Sequence, residues 1–196
     1  MFKLDAYSKH CSFVADCGFV TPLVYSDPDR AIEIKPVLDC DETLQNELFE
    51  HFAEHWHVET GAKSADDASK YIITQWSSTD IMYVMSVDGK FAGCVAVDRK
   101  NVEPCISHLT VVPGLRGKKM SLLLMEIAES YTHQCLQFTS ICLWCHEDLI
   151  PYYVKQGYTK TGQLTETIVT MRKTFSNEGV AQTTSHNDMC SSFSKW

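Results

Sequence analysis

What the 196-residue chain lacks narrows its role first. No apolar run approaches the ~20 residues that a membrane-spanning helix needs, so no membrane partner is expected. Basic residues are in deficit, with 17 lysines and arginines against 25 aspartates and glutamates and a net charge of −8. Phosphate backbones require a basic surface, which excludes nucleic acid as the main partner. An acidic body suits a cationic substrate, and it equally serves to keep a protein soluble. Regular cysteine spacing is missing too. Nine cysteines, an odd count, follow no framework pattern, and Lys3, Asp5, Lys9, His10 and Asp16 break any apolar stretch of a secretory leader. Reduced thiols in a cytoplasmic or nuclear compartment are therefore expected. No internal repeat is visible.

A hydrophobic content of 44% with 21% charged residues is an ordinary globular balance, and the length suits one domain with a real core. Residues 1–30 show no sustained period and end in the turn-rich Tyr25-Ser-Asp-Pro-Asp29, which reads as an arm laid on the domain. Ala31–Lys35 alternates with period two and predicts the first strand. From Asp41, the residues Leu44, Leu48, Phe49, Phe52 and Trp56 predict one face of an amphipathic helix, leaving His51 and His55 on its outer side. Ser64-Ala-Asp-Asp67 resembles a helix start, with Tyr71, Ile72 and Trp76 as the apolar face behind it. Ile81–Val87, the Asp88-Gly89 turn and Phe91–Val97 predict a β-hairpin. Cys105–Val112 predicts a strand, Leu122–Tyr131 a helix and Thr139–Cys145 a buried strand, with a closing pair over Tyr158–Gly162 and Thr167–Lys173. The polar tail 176–196 is expected to be disordered.

Two stretches carry chemistry. In Leu109–Ser121 a β-branched strand end, a Pro-Gly turn and a basic loop lead into the apolar run Leu122–Met125, which places free backbone N–H groups at a positive helix terminus, a cradle for an anion. The stretch resembles the pyrophosphate loop of the GCN5-related N-acetyltransferase (GNAT) family, V-x-P-x-x-[RQ]-x-x-G-x-[GA]. Val111, Pro113 and Arg116 fall on the pattern, while Lys119 stands at a family Gly and Ser121 at a family Gly or Ala. The second stretch, Cys145–Tyr158, reads as one helical segment closed by Gly157 and is similar to the family's late helix. Tyr153, Lys155, Gly157 and Tyr158 match, Ile150 and Tyr152 hold apolar positions, and His146 stands where the family has Asn. The portion from Leu149 to Lys155 looks most like the serotonin, or arylalkylamine, N-acetyltransferase version.

The resemblance implies a single α/β acetyltransferase domain over 31–175, with a mixed six- to seven-stranded sheet and flanking helices. It implies acetyl-CoA as co-substrate, held by the backbone at Leu109, Thr110 and Val111, by the loop Arg116, Gly117, Lys118, Lys119, Met120 and Ser121, and by His146. Tyr153 falls on the family's general-acid position. For the base, the family's usual strand positions are occupied by Ser107 and Cys105, and His108 lies nearby, where strand alternation puts it on the face opposite Ser107. A water relay or a substrate arriving deprotonated stands beside His108 as the alternative. The implied reaction is transfer of acetyl to a primary amine by direct attack in a ternary complex. The acceptor would be a small cationic amine such as a polyamine or arylalkylamine, or a peptide lysine, acted on by a monomer or homodimer.

Two other classes compete. A non-catalytic acyl-CoA-binding module is motivated by Lys119, Ser121, His146 and the missing strand carboxylate. His51-Phe-Ala-Glu-His55 spells an inverted zinc-peptidase motif, which would make His51, Glu54 and His55 a zinc hydrolase site. That pattern needs a third ligand, and His57, Cys40 and Glu59 lack established spacing, so no metal is expected. In the family the first two helices line the acceptor pocket, so His55, Trp56 and His57 are candidates to touch substrate instead. Cys142-Leu-Trp-Cys145 is a lone C-x-x-C whose cysteines a strand would point to opposite faces.

Overall fold

The computed structural model describes residues 25–27, 31–56, 61, 63–76, 81–99 and 103–175. Apart from Tyr25–Asp27, the arm lies outside the described residues, as do His57, Glu59, the side chain of Trp76 and the whole tail 176–196. Among these residues eight strands form one sheet: β1 (Tyr25–Asp27), β2 (Ile32–Pro36), β3 (Ile81–Val87), β4 (Lys90–Asp98), β5 (Cys105–Val111), β6 (Ser140–His146), β7 (Thr159–Gln163) and β8 (Ile168–Thr174). Their spatial order is β1-β2-β3-β4-β5-β6-β8-β7, antiparallel throughout except for the parallel β5–β6 pair. The α/β class and the element order are as expected. The strand count rises to eight because Tyr25–Asp27, at the end of the predicted arm, pairs with Ile32–Ile34.

Among the described residues four α-helices cover the sheet: α1 (Glu42–His55), α2 (Ala65–Trp76), α3 (Met120–Ser130) and α4 (Ile150–Val154). Asp41 caps α1 by accepting from the Leu44 N–H at 2.8 Å, an interaction on the order of 1 kcal/mol. Ser64 caps α2 by accepting from the Asp67 N–H at 3.2 Å. The Asp67 carboxylate also accepts from the Lys63 N–H at 3.2 Å, one residue ahead of the cap, which ties the entering chain to the first turn. Alternation along β3 and β4 then divides the core in two. Met82, Val84, Cys94 and Ala96 pack under Leu44, Leu48, Phe52 and Ile72 of α1 and α2. Tyr83, Met85, Val95 and Val97 face the other way, in one cluster with Leu124 and Ala128 of α3 and Tyr153 of α4. No described helix is long and apolar enough to cross a membrane.

Three expectations need correction. The segment from Cys145 is not one helix: Cys145 and His146 finish β6, a single 3-10 turn spans Glu147–Leu149, and α4 holds five residues before Gly157 turns the chain at φ +88°. Pro151 explains the late start, since proline is accommodated only in a helix's first turn. β6 is not buried on both faces, because Trp144 is 53% exposed on the face opposite Leu143 and Cys145. His51 is not on the outer side of α1. It is buried, one turn beyond Leu48 in the same inward stripe.

Candidate active site

β5 and β6 pair at only two positions, Cys105 with Cys142 and Ile106 with Leu143. Beyond them no β6 residue pairs with Ser107–Val111, and the strands part. A bulge on the other side of β5 accounts for the turn. Ser107 sits opposite Ala96 and Thr110 opposite Cys94, so His108 and Leu109 together face Val95. His108 takes up the extra residue in the left-handed region at φ +52°, and the Cys94 thiol donates to its carbonyl at 3.4 Å. Such a bulge bends its strand and sharpens the local twist, which here carries β5 away from β6. Gly93 permits the close approach on the far side: a Cβ there would lie 2.4 Å from the Thr110 carbonyl oxygen.

The gap opens into a cleft of about 230 Å³. Leu109, Thr110 and Val111 form one wall, Leu115, Arg116, Gly117, Met120 and Ser121 the next, and Leu149, Tyr152 and Tyr153 the third. The loop is shaped by two left-handed residues, Gly117 at φ +76° and Lys119 at φ +65°. Lys119 is the N-cap of α3, and no side chain caps that terminus, so the first amides of the helix face outward at its positive end. Arg116 folds back, its Nε donating to the Val111 carbonyl at 3.1 Å, which holds the guanidinium on the cleft wall. Nothing lies within 4 Å of the missing Cβ of Gly117. The open glycine, the uncapped amides and the arginine fit a diphosphate.

Of the residues singled out from the sequence, the cleft brings together Leu109, Thr110, Val111, Arg116, Gly117, Met120, Ser121 and Tyr153. Lys118, Lys119 and His146 are exposed and lie outside its lining. Tyr153 is 8% exposed, edge-on between Tyr152 at 5.0 Å and Tyr158 at 5.9 Å. Burial, with Cys145 and Tyr152 adding to it, pushes its phenol well above the ordinary range, so it keeps its proton at neutral pH. Tyr158 is fixed in turn by donating to Glu129 at 2.9 Å, and Lys173 bridges to the other oxygen of that carboxylate.

His108 faces α1 and α2. Its ring stacks on Phe52 at 5.3 Å, with Trp56 at 5.1 Å and Tyr71 at 6.3 Å, and its Nδ1 is 3.2 Å from Ser107 Oγ. Simple alternation would have separated these neighbours; the bulge puts them on one face. The structure also reveals contacts that the sequence reading missed. Tyr152 donates its phenol proton to Ser121 Oγ at 2.9 Å. His51 Nε2 lies 3.4 Å from the Thr110 hydroxyl, and its ring stacks on His55 at 4.3 Å. Desolvation, with His55 and Arg116 adding to it against the opposing pull of Glu54, lowers the His51 pKa to about 4, so it is neutral at physiological pH. His51 lies seven residues after Leu44, a helical spacing that would have marked it as inward. Among the described residues no group of three or more His, Cys, Asp or Glu is placed to hold a metal; His57 and Glu59, named beside the inverted zinc motif, lie outside those residues.

An open mixed sheet whose two parallel central strands diverge over a helix N-terminus defines an α/β acyltransferase. A family model described as acetyltransferase (GNAT) domain matches residues 40–175, and the chain belongs to that family. It is an acyltransferase of the N-acetyltransferase type. Solved structures share the fold. PH1933 from Pyrococcus horikoshii OT3 aligns at 22% identity and a TM-score of 0.57 over 74% of this chain and 99% of its own. The PaiA N-acetyltransferase from Thermoplasma acidophilum, in complex with coenzyme A, aligns at 16% identity and 0.56 over 74% and 99%. A spermidine N-acetyltransferase SpeG chimera from Vibrio cholerae and hSSAT aligns at 13% identity and 0.57 over 74% and 95%. No curated protein matches the chain at a significant level.

Proposed function

We propose that the chain transfers acetyl from acetyl-CoA to the primary amine of a small cationic acceptor, by direct attack in a ternary complex. One observation carries this reading: a single cleft joins the uncapped start of α3, the β5 backbone left unpaired by β6, and Tyr153. The diphosphate would rest on the α3 amides beside Arg116, and the pantetheine arm would take the place of β6 along Leu109–Val111, where main-chain N–H groups polarise the thioester carbonyl. The amine nitrogen bonds to that carbonyl carbon, the carbon–sulfur bond breaks, and the departing thiolate takes the Tyr153 proton. The proton leaving the amine goes to His108 or, through water, to solvent.

The acceptor would enter from the α1–α2 side. His108, Trp56 and Tyr71 line one bank there. Trp144, two residues beyond Cys142 on the same face of β6, is largely exposed. The aromatic faces of Trp56, Tyr71 and the exposed Trp144, with an acidic body, favour a cationic amine carrying an apolar or aromatic portion, such as an arylalkylamine, over an extended peptide. Release of free CoA thiol is the test, with acetyl-CoA and a panel of arylalkylamines, polyamines and lysine peptides. Amine-dependent release, fastest with arylalkylamines, is expected. CoA binding without release above background would instead identify a non-catalytic acyl-CoA-binding module. In the active enzyme Tyr153→Phe should slow turnover by about tenfold or more while leaving the affinity for acetyl-CoA nearly intact, the signature of a lost proton donor. Unchanged turnover would remove Tyr153 from the mechanism.

A further inference from the structure

The C-x-x-C spacing of Cys142 and Cys145 does not pair those two thiols. Cys145 points into the core against Met171, its Sγ 3.6 Å from the thioether sulfur. Cys142 points to the opposite face, where its neighbour across the β5–β6 seam is Cys105, whose thiol donates to the Ile106 carbonyl at 3.6 Å. Adjacent paired strands hold their Cα atoms about 5 Å apart, inside the roughly 4.4–6.8 Å window that a disulfide spans. The two cysteines differ in access: Cys105 is 2% exposed, whereas Cys142 is only half-buried. They also differ in acidity. The adjacent Cys105 thiol, with the Arg172 guanidinium adding to it against the opposing pull of burial and the Glu103 carboxylate, lowers the Cys142 pKa, while the adjacent Cys142 thiol and burial raise that of Cys105. Arg172 is itself held beside Cys142, as its cross-strand partner on β8 and through a 2.7 Å ion pair to Glu103. Cys40, Cys94 and Cys145 are buried, and burial raises the thiol of Cys135.

We propose that Cys105 and Cys142 are a redox-active pair that a low-molecular-weight disulfide such as glutathione disulfide converts into an intrachain disulfide across the β5–β6 seam. The accessible Cys142 thiolate attacks one sulfur of the oxidant, whose S–S bond breaks and releases one glutathione thiolate. Cys105 then loses its proton to solvent and attacks Cys142 Sγ, forming the protein S–S bond and expelling the second glutathione. Two protein thiols are oxidised and one glutathione disulfide is reduced to two thiols. The bridge would fasten one of the only two registered positions that join these strands, directly below the point where they part into the cleft. Neither the chemistry nor its test depends on which amine the enzyme acetylates.

The full chain, reduced and then equilibrated with graded ratios of glutathione disulfide to glutathione, is quenched by alkylation and mapped by peptide mass spectrometry. The expected product has lost two hydrogens, links the peptides containing Cys105 and Cys142, and reverts with dithiothreitol. Cys105→Ser should stop at a stable glutathione adduct on Cys142, and Cys142→Ser should remove both adduct and bridge. If Cys142 in the wild-type chain stays alkylatable at ratios that oxidise other cysteines, or bridges to a residue other than Cys105, the pair is overturned, and that result does not depend on how the variants fold.

Discussion

Tyr152 donates its phenol proton to Ser121 Oγ at 2.9 Å, so the short helix that carries Tyr153 is tied to the first turn of the helix whose amides face the cleft. Both partners line the cleft, and the bond joins the wall that would hold the diphosphate to the wall that holds the proton donor. Ser121, which departs from the small residue of the family pattern, is thus the acceptor that makes the tie possible.

Removing either end should loosen that geometry without touching the acid. Tyr152→Phe is expected to destabilise the fold by about 0.5–1.5 kcal/mol, the usual net worth of one hydrogen bond, and to raise the KM for acetyl-CoA several-fold with kcat nearly unchanged. Ser121→Ala should behave alike, and the double variant should be no worse than either single one. Steady-state kinetics at saturating amine separate this pattern from the kcat loss expected at Tyr153. Additive effects in the double variant would show that the two side chains act independently.

Much of this site was readable as sequence. The Asp88-Gly89 turn fixed the β3–β4 hairpin, with φ of +53° and +74° at its two central residues. The Pro113-to-Ser121 stretch announced its loop because proline, glycine and basic residues between a strand and an apolar helix leave few other conformations. The parts that stayed hidden depend on where a strand breaks its own rule. Alternation cannot foresee that His108 absorbs an extra residue, because a non-glycine at φ +52° carries no local signature. The partner of Cys142 depends on which strand lies beside β6, a tertiary fact. The insertion of β8 between β6 and β7 is likewise set by sheet assembly rather than by either strand's own residues. Gly93, by contrast, was a missed clue: a glycine inside a strand-forming run marks a place where another backbone comes close.

That glycine supports a sharp comparison. A Cβ on Gly93 would meet the Thr110 carbonyl oxygen at 2.4 Å and the Val111 Cα at 3.2 Å, both backbone atoms of the cleft wall that cannot rotate aside. Gly93→Ala should therefore cost about 1–3 kcal/mol and lower kcat/KM as well. At Gly162 the nearest atoms to an added Cβ, both of Thr170, are 3.8 Å away, so Gly162→Ala should be close to neutral. Denaturant midpoints of the two variants check this, and equal losses would refute the clash.

Lys119 occupies a left-handed position at the start of α3, at φ +65°. For a residue with a Cβ that conformation costs roughly 1 kcal/mol, and glycine escapes it. Lys119→Gly should consequently be more stable than Lys119→Ala by about 1 kcal/mol, the reverse of their order inside a helix. Thermal melts of the pair read the difference directly, and an alanine variant as stable as the glycine one would mean that the position is unstrained.

His51 makes the pH dependence of the fold predictable in sign. Its folded pKa, about 4, lies below the unfolded value of roughly 6.5, because burial, with His55 and Arg116 assisting, opposes the charged form. Between those two values the unfolded chain binds the proton and the folded one does not. The stability contributed by neutral His51 is therefore complete above about pH 6.5 and is lost as the pH falls toward about 4. His51→Gln keeps a polar group within reach of the Thr110 hydroxyl but cannot titrate. Urea midpoints measured across pH 7 to 4 should fall less steeply in His51→Gln than in the wild type, and the gap between the curves should close toward the acid end. Parallel curves would mean that His51 takes up its proton in the folded protein as readily as in the unfolded chain, and that its burial against Thr110 is not maintained in solution.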